Sequence, residues 1–133
     1  DGVMMFLPTA PLTTRNHLDA AIDLFFQSKK NVISVQEFDK PLSAIRLIKK
    51  EKLVPLIETK NYNIQRQDYQ HYIVNAAIYI STPDKLINNQ TFHIPDISPF
   101  IMEKEFSIDI NDIIDFQICE SILLNSQRIK DKE

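Results

Sequence analysis

The chain has 133 residues, 44% hydrophobic and 25% charged, with a net charge of −3 at neutral pH. That length is enough to enclose one core and excludes a short peptide or a tail. No run of about 18 apolar residues suggests a membrane span, and no basic stripe interleaved with aromatics suggests a nucleic-acid surface. The single cysteine, Cys119, excludes an internal disulfide framework and fits a reducing cytoplasm; with no cleavable leader in view, the chain reads as soluble, globular and cytoplasmic. Gly2 is the only glycine. A loop cradling nucleotide phosphates needs several, so none is expected within this stretch.

In chain order, Val3 to Leu7 is a continuous apolar run ended by Pro8, the pattern of a strand buried on both faces of a parallel sheet. Thr14 is a good helix N-cap, and Leu18, Ala21, Ile22, Phe25 and Phe26 recur at helical spacing as far as Ser28, where Lys29 and Lys30 suit the C-terminal end. Asn31 to Val35 is β-branched and reads as a second buried strand, completing a strand, helix, strand unit and pointing to an α/β fold. From Pro41 to Tyr72 the pattern changes: two apolar runs flank the charged tip Lys49 to Lys52, which predicts a protruding hairpin. Tyr72 to Ile80 predicts another buried strand. Thr82-Pro83-Asp84 starts a short helix ending near Asn89, with proline at a tolerated first-turn position. Phe92 to Met102, broken by Pro95 and Pro99, is extended. Asn111 can cap a last helix on which Ile114, Ile118 and Ile122 form an apolar row beside Phe116, Cys119 and Leu123. With neither a repeat nor a low-complexity linker, residues 1–133 read as a single α/β unit.

Several segments carry a resemblance, in the same order and at similar spacing. Leu7-Pro8-Thr9-Ala10-Pro11-Leu12-Thr13-Thr14 is followed by an amphipathic helix and a strand; Arg66-Gln67 precedes Tyr72 and Asn75-Ala76-Ala77-Ile78-Tyr79-Ile80; Phe106-Ser107-Ile108-Asp109-Ile110-Asn111 precedes Asp115-Phe116. Together these span nearly the whole chain, which resembles the C-terminal part of the acylneuraminate cytidylyltransferases (CMP-sialic acid synthetases). The resemblance implies part of a Rossmann-like nucleotidyltransferase fold with a β-rich dimerisation excursion, residues 41–72 and 92–102 packing across a homodimer. It implies transfer from CTP to a nine-carbon sugar acid, giving the CMP-sugar acid and pyrophosphate with the help of magnesium. It also implies a preceding glycine-containing basic loop that grips the CTP phosphates, so that this portion alone is expected to be inactive.

By the same resemblance Asp109 is the catalytic, metal-holding aspartate, and Asn111 stands where a second metal-binding aspartate is usual. On an extended backbone the two side chains would share a face about 7 Å apart, compatible with one ion; read without the resemblance, they are a strand end and a helix cap. Arg66 and Gln67 would bind the sugar acid, since guanidinium offers paired donors to a carboxylate, or else lie in a solvated loop. Phe92 and His93 occupy the place of an aromatic pair that covers the N-acyl group in the neighbouring subunit; ordinary packing and a surface histidine are the alternative. Tyr79 reads as core, and His17 and His71 as structural.

The departures from the family pattern fall at substrate-facing positions: Leu7 for a glutamine, Thr13 for an arginine, Ser43 for a lysine, Ile73 for an arginine and Ala76 for a glycine. Leu7, Ser43 and His93 favour a relative of sialic acid, with different N-acyl groups, as substrate. The competing reading is a catalytically silent dimerisation or binding module on the same scaffold.

Overall fold

The computed structural model describes residues 1–41, 44–56 and 70–130. Two compact units are present, one comprising residues 1–36 and 74–133, the other residues 37–73. Among the described residues the first contains the α-helices α1 (Arg15–Ser28), α2 (Pro83–Asn89) and α3 (Ile113–Lys130). Among the described residues its sheet has the order β1 (Val3–Phe6), β5 (His71–Ser81), β2 (Asn31–Phe38), β6 (Ile97–Ile101). The β1–β5 pair is antiparallel and the β2–β6 pair parallel, so the α/β architecture carries a mixed sheet.

Local chemistry accounts for these elements. Thr14 caps α1: its Oγ1 accepts from the His17 N–H at 3.4 Å, and His17 Nδ1 accepts from the Thr14 N–H at 3.1 Å, which closes a reciprocal capping box. Lys29 ends the helix in the left-handed region and donates its N–H to Phe25 O. Ala21 and Phe25 point into the core, where Val32, Ile78 and Met102 are also fully buried. Gly2 passes directly beneath this helix. A β-carbon there would stand 2.8 Å from the Phe25 ring, so the only glycine serves close packing. Pro99 lies in β6, an edge strand, where its missing N–H costs no ladder bond.

One expectation is corrected. Val3 to Leu7 is not a parallel strand buried on both faces: β1 lies at an edge, pairs antiparallel with β5 from Val3↔Ser81 to Phe6↔Ile78, and leaves Phe6 58% exposed. Met4 packs on the core, whereas Val3, Met5 and Phe6 are exposed. The last helix forms where the apolar row predicted it; Ile114 is 61% and Ile118 43% exposed, and among its described side chains only Cys119 is buried, at 2%. Burial raises the Cys119 thiol pKa, and the nearby Asp115 carboxylate raises it further.

The second unit contains a hairpin of β3 (Arg46–Lys49) and β4 (Lys52–Pro55), as the charged tip predicted. Lys50 and Glu51 form its turn with φ of 49° and 62°. Two consecutive left-handed residues match the twist of a two-residue hairpin, although neither is a glycine.

Candidate functional site

β5 changes character within a few residues. Tyr72, Ile73 and Val74 are exposed, whereas Asn75 and Ala77 to Ser81 are buried. The change falls at Ala76, whose φ of 58° places a residue with a β-carbon in the left-handed region inside a strand. Such a kink behaves as a bulge: it ends regular pairing and re-aims neighbouring side chains. Leu7 N–H still reaches Ala77 O at 3.3 Å, and the described β1–β5 register stops there.

Asn75 is thereby turned inward, 4% exposed, and each half of its amide is engaged. Its Oδ1 accepts from Ser34 Oγ at 2.5 Å and from the Ala77 N–H at 3.3 Å. Its Nδ2 donates to Ser107 Oγ at 2.9 Å and lies 3.4 Å from Met102 Sδ. Ser34 Oγ accepts in turn from the Ile78 N–H at 2.8 Å, and Ser107 Oγ donates to Glu103 O at 2.8 Å. Burying so many polar groups is tolerable because each has a partner.

The segment from Ser107 to Asn111 leaves this network and borders a cavity of about 430 Å³ lined by Gln36, Val74, Asn75, Ala76, Lys104, Ser107, Ile108, Asp109, Asn111 and Asp115. Asp109 Oδ1 is buried and has no hydrogen-bond partner among the described residues. Its Oδ2 lies 3.4 Å from Asn111 Nδ2, which also donates to Asp109 O at 3.1 Å. The two side chains are in contact, on irregular backbone rather than on the extended strand expected.

Asn111 is not the helix cap. Asp112 Oδ1 accepts from the N–H groups of Ile114 and Asp115, and Asp115 Oδ2 accepts from those of Asp112 and Asn111. This is a reciprocal box one residue later, with a carboxylate at both ends near the positive end of the helix. Asn111 is left beside Asp109 at the cavity.

Tyr79, on the buried part of β5, has its phenol pKa raised by burial first and by the Asp109 charge second. Its ring packs against Phe92, at 5.6 Å between centroids, and His93, at 5.9 Å. Within one chain, therefore, Phe92 and His93 line up on Tyr79. Arg66 and Gln67 lie outside the described residues, as does Ser43. His17 serves the α1 cap and stands edge-on to Phe106 at 4.9 Å, a structural position as expected.

The sequence reading missed the part played by Ser107 and Asn75, which hold the segment bearing Asp109, and missed Lys104 and Gln36 on the cavity wall. Ser107 carried a signal, since it opens the motif that contains Asp109. Gln36 carried none.

The residues present can be tested against a magnesium ion. Among the described residues no group of three or more His, Cys, Asp or Glu side chains is arranged to hold a metal. One carboxylate with an unpaired buried oxygen, next to an amide, fits instead an ion that the protein grips at one or two points while phosphates and waters complete its shell, which is how magnesium is commonly held.

No family model matches the chain. Curated proteins do match it, over most or nearly all of its length. It is 27% identical over 132 residues, 98% of the chain, to an N-acylneuraminate cytidylyltransferase of Escherichia coli O18:K1:H7, and 26% identical over 132 residues, 97% of the chain, to a CMP-N,N'-diacetyllegionaminic acid synthase of Legionella pneumophila. It is 25% identical over 122 residues, 90% of the chain, to a pseudaminic acid cytidylyltransferase of Campylobacter jejuni. The resemblance read from the ordered motifs is thus borne out. The chain spans 32%, 57% and 53% of these three relatives respectively.

Proposed function

We propose that this chain serves a cytidylyltransferase reaction: the anomeric hydroxyl of a nine-carbon sugar acid attacks the α-phosphate of CTP, forming the CMP-sugar acid. The new bond joins the sugar oxygen to the α-phosphorus, the bond from that phosphorus to the oxygen bridging to the β-phosphate breaks, pyrophosphate leaves with that oxygen, and the hydroxyl proton passes to water. The observation that carries this reading is the buried, unpaired Asp109 Oδ1 at the cavity, in a chain similar from end to end to enzymes named for that reaction.

Asp109 and Asn111 would hold magnesium, the latter by rotating its amide to present Oδ1. When bound, the ion offsets phosphate charge and aligns the attacking and leaving oxygens. Lys104, on the same wall, supplies a cation suited to a phosphate or a sugar carboxylate. On this reading the sheet is part of a Rossmann-like layer, residues 41–72 and 92–102 make contacts between two copies, and Arg66, Gln67, Phe92 and His93 recognise the sugar acid. Leu7, Ser43 and His93 support a relative of sialic acid as substrate, and relatives named for legionaminic and pseudaminic acid fit that choice.

The test is pyrophosphate release from CTP and magnesium by the product of the complete reading frame containing this chain, with a panel of nine-carbon sugar acids. Release with one acid is expected, most strongly with one other than N-acetylneuraminate. No release from folded protein would favour the silent module, a reading to which Asn111 in place of an aspartate lends weight.

A further inference from the structure

The unpaired oxygen of Asp109 raises the question of what keeps it from collapsing onto a neighbouring donor. Its segment is tied at two points. At one end Ser107 Oγ accepts from Asn75 Nδ2 and donates to Glu103 O, while the Ser107 N–H reaches Lys104 O at 3.3 Å. At the other the Ile110 N–H donates to Thr9 O at 2.7 Å. Ile108 and Asp109 lie between these ties. Asn75 is itself immobilised from the opposite side by Ser34 and by the backbone of Ala77, beyond the left-handed Ala76. The stiffness of the buried strand is therefore transmitted to the Asp109 carboxylate through one amide and one hydroxyl.

We infer that Asn75 is a positioning residue, acting through Ser107 to hold Asp109 at the cavity in the geometry that receives a divalent cation. This rests on the reading of Asp109 given above. Groups hydrogen-bonded behind a metal ligand orient it and tune its affinity, and losing one typically weakens binding by about 10- to 100-fold.

The probe is Mn²⁺ alone, followed by loss of the free-ion paramagnetic resonance signal, with protein from the complete reading frame in wild-type form and as Asp109→Asn, Asn75→Ala, Ser107→Ala and the Asn75→Ala, Ser107→Ala double variant. Ser107→Ala leaves the Ser34 end of the network intact, so it decides the matter should Asn75→Ala fail to fold. The expected result is that Ser107→Ala and Asn75→Ala each weaken Mn²⁺ binding about tenfold, and that the double variant falls no further than the weaker single one, because both cut one path. The Mg²⁺ concentration for half-maximal pyrophosphate release should rise in parallel, whereas a purely structural role would move the melting temperature and leave this concentration unchanged. Binding within twofold of wild type in a folded Ser107→Ala variant, with Asp109→Asn abolishing it, would overturn the positioning role alone. Equal binding by wild type and Asp109→Asn would remove the metal reading, and the positioning role with it.

Discussion

Asn75 and Asp109 line the same cavity and are treated in opposite ways. The amide of Asn75 spends both its donor and its acceptor on buried partners, whereas Asp109 keeps one buried oxygen without any among the described residues. Leaving a buried polar group unmade costs about 1–3 kcal/mol. On the proposed reading Asn75, whose amide has its interactions complete within the chain, is scaffold, and Asp109 is binding site, to be completed from outside.

Asp109→Asn breaks the comparison most sharply. Pyrophosphate release should fall by at least about 100-fold, the scale on which a preorganised charge at a reacting phosphate is felt. Thermal unfolding should shift little or upward, since the change removes a partly buried carboxylate, one oxygen of which has no partner among the described residues. Kinetics and calorimetry on the same preparation check both halves, and a large loss of stability would assign Asp109 to the scaffold.

A smaller effect is expected at Ala76. The left-handed region costs a residue with a β-carbon about 1–2 kcal/mol, while glycine loses about 0.5–1 kcal/mol more on folding than alanine does. Ala76→Gly should therefore stabilise the fold by between about 0 and 1.5 kcal/mol, the spread of the difference between these two ranges, read as a raised denaturant midpoint. Destabilisation would show that the Ala76 methyl group contributes more packing than strain.

Smallest is the link between the cavity and Tyr79. Burial and then the Asp109 charge raise its phenol pKa in the folded state, so the folded protein holds that proton more tightly than the unfolded chain. The resulting stability is fully present below the ordinary tyrosine value of about 10 and is lost as pH rises through the higher folded value. Phenolate absorbance in Asp109→Asn should show Tyr79 titrating lower than in wild type, yet still above its ordinary value because burial remains. An unchanged titration would separate the two groups.

Much of the scaffold was legible because it follows from local rules. Thr14 and the apolar spacing fixed α1, Pro83 fixed the start of α2, and the charged tip fixed the hairpin. β1 was misjudged because an apolar run says nothing about which side of a strand will be covered or in which direction its partner runs. On α3 the periodicity of Ile114 and Ile118 announced a helix, but periodicity does not name what a face will meet. The cap was placed one residue early because Asn111 and Asp112 are both good caps; the spacing from Asp112 to Asp115 was the discriminating signal. At the site, Asp109 and Asn111 were legible through a motif, and the glycine position taken by Ala76 coincides with a left-handed backbone. The tie from Asn75 to Ser107 joins residues 32 apart in sequence, and no local pattern encodes it.

The network behind Asp109 also has a built-in polarity. The Ala77 N–H points at the Asn75 amide and requires its oxygen there; the Ser34 hydroxyl, accepting from the Ile78 N–H, gives its proton to the same Oδ1, the amide nitrogen is left facing Ser107, and the Ser107 proton goes on to the Glu103 carbonyl. Every link gives in the same sense, from a strand amide to a turn carbonyl, and the sense is set by a backbone group that cannot rotate. An aspartate would match asparagine in shape here but, when ionised, would have no proton to pass to Ser107. The requirement at this position is thus for a one-way conductor of hydrogen bonds, a vectorial property that size and polarity do not capture.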